Sequence, residues 1–460
     1  MKVNTRNEKV LGKTESLCPQ CLAVIPAERV AVGDAVFLDK ICPEHGNFRT
    51  ILWRGQPLYQ EWAVERQLTK PPVCATGVDR GCPFDCGLCP RHRQHTCCVL
   101  LEVTQRCNLS CPVCFAAADS EDSEPDIRRI EEWYRMLMAS GGPYNIQLSG
   151  GEPTLREDLP EIIALGRSLG FSFFQLNTNG LRLAKDYQYV RRLKEAGLSC
   201  VFLQFDGTSD AVYKKIRGKT LLEEKMAAIA CCAEHELGVV LVPTLVPGVN
   251  TEDIGSILEF ALEMMPVVRG VHFQPVSYFG RYPREPLDAD RITIPEVLAA
   301  IERQTGGKMK ITDFRPPSAE NAYCSFHGNY ILMDDGVLKS WAKPTGGCCQ
   351  PQVESGTKKA QNFVAKRWRT AKNGKNLSAA VEGIHSSDIN TDSLDAFLDR
   401  ADKYSLSVSG MAFQDAWNID LERLQECFIH VVSLDSRIIP FCAYNLTDRQ
   451  GRTLYRPSKR

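Results

Sequence analysis

The chain lacks a hydrophobic run long enough to cross a membrane. Its longest apolar stretch, about residues 238–249, contains two prolines, whereas a membrane-spanning helix needs about 20 apolar residues. The chain also lacks an excess of either charge, since 55 Lys and Arg residues stand against 56 Asp and Glu residues. Without a basic field, a nucleic acid partner is not expected. We therefore expect neither a transmembrane segment nor nucleic acid binding.

An apolar secretory signal is missing as well. The first residues, MKVNTRNEKVLGKTES, contain no hydrophobic core segment, so we expect a cytoplasmic protein, with peripheral contact to a membrane left open. Such a compartment is reducing, and clustered cysteines there bind metal more often than they form disulfides. Cysteine is what the chain has in excess: there are 20 residues, and more than half lie between Cys18 and Cys114.

The first cysteine cluster contains the motifs CPQC and CPEHG. Its candidate metal ligands are Cys18, Cys21, Cys42 and His45. This spacing is typical of one tetrahedral ion, zinc or a rubredoxin-like iron, in a structural role. Cys74 is the alternative to His45 as the fourth ligand.

The middle of the chain has the pattern of an α/β fold. Between residues 99 and 281, six strand-like runs alternate with helical segments. This alternation predicts a parallel sheet with right-handed crossovers, and six units fit a partial (β/α)6 TIM-like barrel. We expect four parts: a rubredoxin-like or zinc-ribbon-like domain (1–70), an auxiliary-cluster loop (71–98), the partial barrel (99–281) and a C-terminal extension (282–460).

A second cysteine motif follows the first predicted strand of the barrel. Cys107, Cys111 and Cys114 have the spacing C-x3-C-x2-C. Three thiolates on one loop can hold a 4Fe–4S cluster and leave its fourth iron open to a chelating ligand. A zinc knuckle is the alternative, although zinc usually takes four protein ligands.

Polar residues end the next three predicted strands, where an α/β sheet presents its ligands. The candidates for one shared cofactor pocket are Gly150, Gly151, Glu152, Asn177, Asn179 and Asp206. The glycines would let a ligand approach the backbone. The carboxylate of Glu152 would bind an ammonium group, and the later residues would bind ribose hydroxyls.

Two further cysteine sets predict auxiliary sites. The first set is Cys82, Cys86, Cys89 and Cys97, which would hold a 4Fe–4S cluster with every iron ligated, or zinc as the alternative. We interpret His92 and His95, between these ligands, as hydrogen-bonding residues. The second set is Cys324, Cys349, Cys427 and Cys442, for a second auxiliary cluster. Cys348 is adjacent to Cys349, and Cys427 lies in a stretch that reads as helical.

The motif CNLSCPVC followed by GGEPT resembles the radical S-adenosylmethionine (radical SAM) superfamily over residues 99–281. The resemblance implies that Cys107, Cys111 and Cys114 hold a cluster whose open iron binds S-adenosylmethionine. Gly150, Gly151 and Glu152 would hold its amino group, and Arg217 would face its carboxylate. Cleavage would yield a 5′-deoxyadenosyl radical that removes hydrogen from an unactivated C–H bond. An external donor of the flavodoxin or ferredoxin type would supply the electron.

The whole chain resembles one subgroup, that of tetraether lipid synthases and class D radical methylases. The resemblance is carried by three sequence features: the N-terminal motifs CPxC and CPEHG, the segment CPFDCGLCPRHRQHTC, and the C-terminal region from GMAFQDAWNIDLERLQECFIH to RIIPFCAYNLT. The resemblance implies two or three 4Fe–4S clusters and one mononuclear iron or zinc.

Three radical reactions remain open, together with a non-catalytic electron carrier that would not need a cofactor pocket. Our main expectation is carbon–carbon bond formation between lipid alkyl chains, with Phe205, Phe273, Tyr278 and Phe279 as candidates for an apolar groove. The alternatives are methylation of a reduced pterin, with His272, Gln274 and Asp206 around the ring, and modification of a peptide. General acids and bases are not assigned.

Overall fold

The computed structural model describes residues 8–63, 68–118, 124–341, 356–369 and 391–456; in the helix from residue 391, side chains are described from residue 397 onward. The N-terminal part is an antiparallel four-stranded sheet. Its strands are β1 (Glu8–Leu17), β2 (Val24–Val32), β3 (Ala35–Cys42) and β4 (Gly46–Arg54). The register pairs Leu17 with Val24 and Cys42 with Gly46. The β1–β2 and β3–β4 loops therefore lie at the same end of the sheet.

The central sheet has 12 strands in the described part of the chain. Six of them are parallel neighbours: β5 (Cys98–Thr104), β6 (Asn145–Gly150), β7 (Phe174–Thr178), β8 (Cys200–Gln204), β9 (Gly238–Val242) and β11 (Val268–Pro275). The short β10 (Thr244–Leu245) pairs with β11. The prediction of an α/β fold with a parallel sheet is thereby confirmed.

Helices follow the parallel strands, as the alternating pattern predicts. The helices are α1 (Tyr59–Trp62), α2 (Ile127–Ala139), α3 (Leu159–Ser168), α4 (Tyr187–Ala196), α5 (Asp210–Arg217), α6 (Leu222–Glu234), α7 (Ile254–Glu263), α8 (Ile294–Gln304), α9 (Gly356–Arg367), α10 (Thr391–Lys403), α11 (Leu421–Gln425) and α12 (Phe441–Asn445). Local chemistry sets their ends: Asp186 caps the N-terminus of α4 by accepting from the Tyr189 amide, and Gly197 ends it at φ +105°. Within the described residues, no helix is both long and apolar enough to span a bilayer.

The C-terminal region adds strands to both edges of the parallel sheet. Its strands are β12 (Ser325–Leu332), β13 (Leu338–Ser340), β14 (Ser405–Met411), β15 (Ile429–Val432) and β16 (Ile438–Pro440). β14 runs parallel to β11, and β15 runs parallel to β5. The helix predicted around Cys427 is shorter than expected: α11 ends at Gln425, and Cys427 lies in the connection to β15. The apolar residues after that point form the buried strand β15 rather than continuing a helix.

The two faces of the parallel sheet differ in chemistry. Along β5, Val99, Leu101 and Val103 are fully buried in the apolar core beneath the helices. Their neighbours Cys98 and Leu100 face a cavity of about 950 Å³ on the other side. Since strand side chains alternate, each strand sends one set into the core and the other toward this cavity.

The last described residues are attached to β5 by a buried ion pair. The guanidinium of Arg456 donates to both carboxylate oxygens of Glu102, at 2.8 and 2.5 Å, and each side chain is only 5% exposed. Arg456 also donates to Asn445 at 2.7 Å. The pair fixes the C-terminal segment beside the strand that leads into the predicted cluster loop.

We expect Arg456→Met to lower the free energy of unfolding by about 3–5 kcal/mol, because it leaves the buried carboxylate of Glu102 without its cationic partner. Only the neutral donors Gln105 and Tyr444 would remain on that carboxylate. Urea denaturation of the metal-free protein measures this change. Arg449→Met is the control, since the pair of Arg449 and Glu285 is 50% and 37% exposed and should contribute no more than about 1 kcal/mol. Equal losses for the two variants would contradict the assignment.

Candidate active site and metal centres

The two loops at one end of the N-terminal sheet bring four donor atoms together. The sulfurs of Cys18, Cys21 and Cys42 and a ring nitrogen of His45 all lie within 4.8 Å of one another. Nδ1 of His45 is 3.6 Å from the sulfur of Cys18 and 3.4 Å from that of Cys42. Cys74, the sequence alternative to His45, is exposed and outside this group. The donor set fits one tetrahedral ion.

The second cysteine motif forms a loop directly after β5, as its sequence position predicts. Cys107, Cys111 and Cys114 all line the large cavity. The backbone of Cys114 exchanges two hydrogen bonds of 2.9 Å with that of Arg281, beyond the end of β11. Burial raises the pKa of the Cys107 thiol to about 11, so a thiolate here requires a bound cation.

The glycines after β6 permit contact between two segments of this chain's own backbone. A Cβ on Gly150 would lie 2.0 Å from the carbonyl oxygen of Thr104, and one on Gly151 would lie 2.2 Å from that of Arg106. The amides of Gly151 and Glu152 donate to these same two carbonyls, at 2.9 and 2.8 Å. The sequence analysis explained these glycines by the approach of a ligand; the structure explains them by the packing of β6 against the start of the cysteine loop.

The carboxylate of Glu152 organises the ends of β6 and β7. Its oxygens accept from the amide and hydroxyl of Thr154, the hydroxyl of Thr178 and the amide of Asn179, at 2.6 to 3.1 Å. A carboxylate has about four acceptor sites, so internal partners use most of its capacity. Asn179 in turn donates to Asn108 in the cysteine loop at 2.7 Å.

Asp206, predicted to contact the cofactor, lies behind the cavity wall. It is fully buried and is absent from the residues that line the cavity. Its carboxylate accepts from Arg217 at 2.7 and 2.8 Å and from the Thr244 amide at 3.0 Å. Arg217 does line the cavity, close to Cys111. Asp206 therefore positions a cation beside the cysteine loop.

The inward face of the sheet is rich in amides and hydroxyls, which the sequence analysis largely missed. The polar strand residues that line the cavity include Asn145, Gln147, Ser149, Gln175, Asn177, Gln204, His272, Gln274, Ser407 and Ser409. Gln175 donates to Asn177 at 2.8 Å, and its own amide oxygen is buried without a partner among the described residues. The sequence does contain a signal for this polar face of the sheet, because polar residues alternate with apolar ones in NIQLSG and FQLNT.

Three members of the first auxiliary set share one cavity. Cys82, Cys86 and Cys89 line a small cavity of about 10 Å³, and the thiol of Cys82 interacts with that of Cys86. Cys97, which leads directly into β5, lines the large cavity. The ligand assignment of this set stays a prediction.

The described members of the second auxiliary set, Cys324, Cys427 and Cys442, lie close enough to interact with one another. Burial raises the pKa of Cys442, and the neighbouring thiols of Cys427 and Cys324 add to this effect. Burial also raises the pKa of Cys97, to which the carboxylate of Glu320 contributes, and Glu320 acts in the same direction on Cys324 and Cys427. Cys349 lies outside the described residues. The ligand assignment of this set stays a prediction.

We expect His45→Ala to reduce the zinc content of purified protein from about one ion per chain to near zero, because it removes one of four ligands. Elemental analysis measures this loss. Cys74→Ala is the matched control and should retain zinc. Zinc loss from the Cys74 variant alone would reverse the assignment.

Comparison with known proteins agrees with this geometry. The family model of the radical SAM superfamily matches residues 101–261, and that of the HMPTM N-terminal zinc ribbon domain matches residues 10–54. The chain is 37% identical over 484 aligned positions to 7,8-dihydro-6-hydroxymethylpterin dimethyltransferase of Methanocaldococcus jannaschii, covering 95% of this chain and 94% of that protein.

Other similarities cover less of the chain. The Fe-coproporphyrin III synthase of Methanosarcina barkeri is 34% identical over 40% of this chain and 45% of its own. Among solved structures, Streptococcus suis SuiB bound to S-adenosylmethionine has a TM-score of 0.37 and 15% identity, with 47% of each chain covered. The near full-length likeness to the M. jannaschii protein and the matched family model show that the chain belongs to the radical SAM superfamily, in the family of that relative, which implies a 4Fe–4S cluster and S-adenosylmethionine.

Proposed function

We propose that this protein is a radical SAM methyltransferase that acts on a reduced pterin. The observation that carries the proposal is the amide-rich inward face of the sheet, within a cavity of about 950 Å³ that also contains the three cysteines of the radical SAM motif. The name of the M. jannaschii relative supports the same substrate class. The proposal replaces the lipid reaction that we expected first from the sequence.

The polar wall suits the edge of a pterin, which alternates hydrogen-bond donors with acceptors. Gln147, Asn177 and Gln175 form a row in which Asn177 donates to Gln147 at 3.4 Å and accepts from Gln175 at 2.8 Å. The unpartnered oxygen of Gln175 ends this row. A buried acceptor without a partner costs about 1–3 kcal/mol, and a donor on the ligand would remove that cost.

An aromatic wall lies beside the amide row. The ring of Phe202 is 5.4 Å from that of His272 and 5.1 Å from that of Trp368, and all three line the cavity. Burial lowers the pKa of His272 to about 4, so this ring is neutral near pH 7. A flat heteroaromatic ring can stack on such a wall while the amides bind its edge.

A lipid groove has less support. Phe205 and Phe273, two candidates for that groove, are fully buried in the core on the opposite face of the sheet. Phe279 is the one candidate of the four that lines the cavity in the described part of the chain. Other parts of the cavity lining are apolar and include Phe326, Phe413 and Phe441. The amides that the sheet presents are what disfavour an alkyl substrate.

The residues of the radical SAM motif fit their proposed group. Cys107, Cys111 and Cys114 would hold the 4Fe–4S cluster, which together with S-adenosylmethionine supplies one-electron cleavage of the sulfonium bond. Arg217, held by Asp206, would place a positive charge beside the cofactor carboxylate. Gly150, Gly151 and Glu152 would form the surface against which the amino group binds.

We expect the anaerobically reconstituted protein, given S-adenosylmethionine, dithionite and 7,8-dihydro-6-hydroxymethylpterin, to form methylated pterin and 5′-deoxyadenosine. The 5′-deoxyadenosine, with methionine, would come from one S-adenosylmethionine, with dithionite as the electron source. The methyl group of the pterin would come from a second S-adenosylmethionine, which leaves as S-adenosylhomocysteine. Mass spectrometry of the pterin and chromatography of the nucleoside measure both products. A dialkyl glycerol lipid offered in parallel should remain unchanged. The variant Cys107→Ala/Cys111→Ala/Cys114→Ala is the control and should form neither product. Lipid coupling without pterin methylation would refute the proposal.

We expect Gln175→Leu to raise KM for the pterin roughly 10-fold, the equivalent of about 1.4 kcal/mol, because the ligand donor loses its acceptor. Binding of S-adenosylmethionine should not change. Gln450→Leu, at an exposed turn, is the matched control. An unchanged KM would show that the amide row does not bind the substrate.

A further inference from the structure

One tetrapeptide pattern occurs twice in the chain. Cys42-Pro43-Glu44-His45 and Cys89-Pro90-Arg91-His92 are both C-P-x-H. In each, the sulfur of the cysteine accepts from the backbone amides two and three positions later. Proline in second position favours the turn that brings the histidine back beside the cysteine. At the first copy the histidine and the cysteine belong to one metal-binding group.

The second copy faces two more cysteines. The small cavity is lined by Cys82, Cys86, Cys89 and His92 together. The turn is closed by a 2.9 Å hydrogen bond from the His92 amide to the Cys89 carbonyl. The carboxylate on this wall, that of Asp85, is already bonded to the amides of Asp79 and Gly81 at 2.8 and 2.6 Å. His92 is therefore the better candidate for a fourth donor.

A hydrogen bond to the backbone fixes the tautomer of His92. Its Nε2 lies 2.8 Å from the carbonyl oxygen of Cys427. A carbonyl can only accept, so Nε2 carries the proton and Nδ1 keeps its lone pair. Metal-binding histidines commonly donate their other N–H to a backbone carbonyl in this way. Nδ1 is also the atom with which His45 faces the sulfurs of Cys18 and Cys42.

We propose that Cys82, Cys86, Cys89 and Nδ1 of His92 hold one auxiliary iron–sulfur cluster, with His92 in the place that the spacing assigned to Cys97. In the described residues, the N-terminal donors are the one set that gathers within 4.8 Å. The four donors of this second site therefore do not all gather within that distance, although the thiols of Cys82 and Cys86 interact. A cluster, whose ligands bind different irons, requires wider spacing than a single ion.

Two consequences follow from an imidazole ligand. Replacing thiolate by histidine raises the reduction potential of an iron–sulfur centre, as in Rieske proteins. The hydrogen bond from His92 also reaches the backbone of Cys427, which belongs to the C-terminal thiol set. The site would thus be easier to reduce than an all-thiolate cluster.

The test uses the full chain with Cys107→Ala/Cys111→Ala/Cys114→Ala, which removes the cluster of the active site, and with zinc in the N-terminal site. After anaerobic reconstitution, iron and sulfide are counted, and the dithionite-reduced protein is studied by pulsed EPR with and without 15N-labelled histidine. We expect a histidine nitrogen coupling on the cluster signal. His92→Cys should abolish it, retain the iron and lower the potential, because a thiolate replaces the imidazole.

Two controls separate the alternatives. Cys97→Ala should leave the nitrogen coupling unchanged. His430→Leu should also leave it unchanged, although the ring of His430 is buried 5.1 Å from that of His92. Loss of the coupling in the His430 variant, its persistence in His92→Cys, or bound zinc without sulfide would overturn the proposal. The outcome is independent of the pterin proposal, because no substrate is added.

Discussion

The contact between the end of β6 and the start of the cysteine loop is the constraint on which the candidate site depends. Gly150 and Gly151 bring the two backbones so close that any side chain would collide with the carbonyls of Thr104 and Arg106. Two amide–carbonyl hydrogen bonds hold this contact. The cysteines that follow are thereby placed at the carboxyl ends of the parallel strands, above the cavity, where α/β folds bind their ligands.

Buried charges then fix the parts of the site relative to one another. Glu152 joins the ends of β6 and β7, and Asp206 holds Arg217 beside Cys111. Lys225, fully buried, donates to the carbonyl of Asn179 at 2.5 Å, and burial lowers its pKa to about 8. Such groups are costly to bury unless each has a partner. Glu152 and Lys225 both bond to the backbone of Asn179, so this residue joins the two buried charges at the end of β7.

The sequence pattern predicted this fold well because its signals are local. Alternation of strands and helices, the three-cysteine spacing and the CPxC and CPEHG knuckles each depend on neighbours within about ten residues. The glycines after β6 were also recognised, although for a different reason. The amides of Gln147 and Gln175 were not predicted as site residues, because they lie within β6 and β7 rather than at the strand ends, although they face the cavity.

Sequence alone determined the superfamily, the α/β class, the order of the metal motifs and the residue types available to them. Only the tertiary structure decided which residues meet. It placed Asp206 behind Arg217, and it brought His92 to the small cavity that Cys82, Cys86 and Cys89 line. The physical reason is that ligand spacing along a chain describes one loop, whereas packing and backbone hydrogen bonds of the sheet decide which side chains share a cavity.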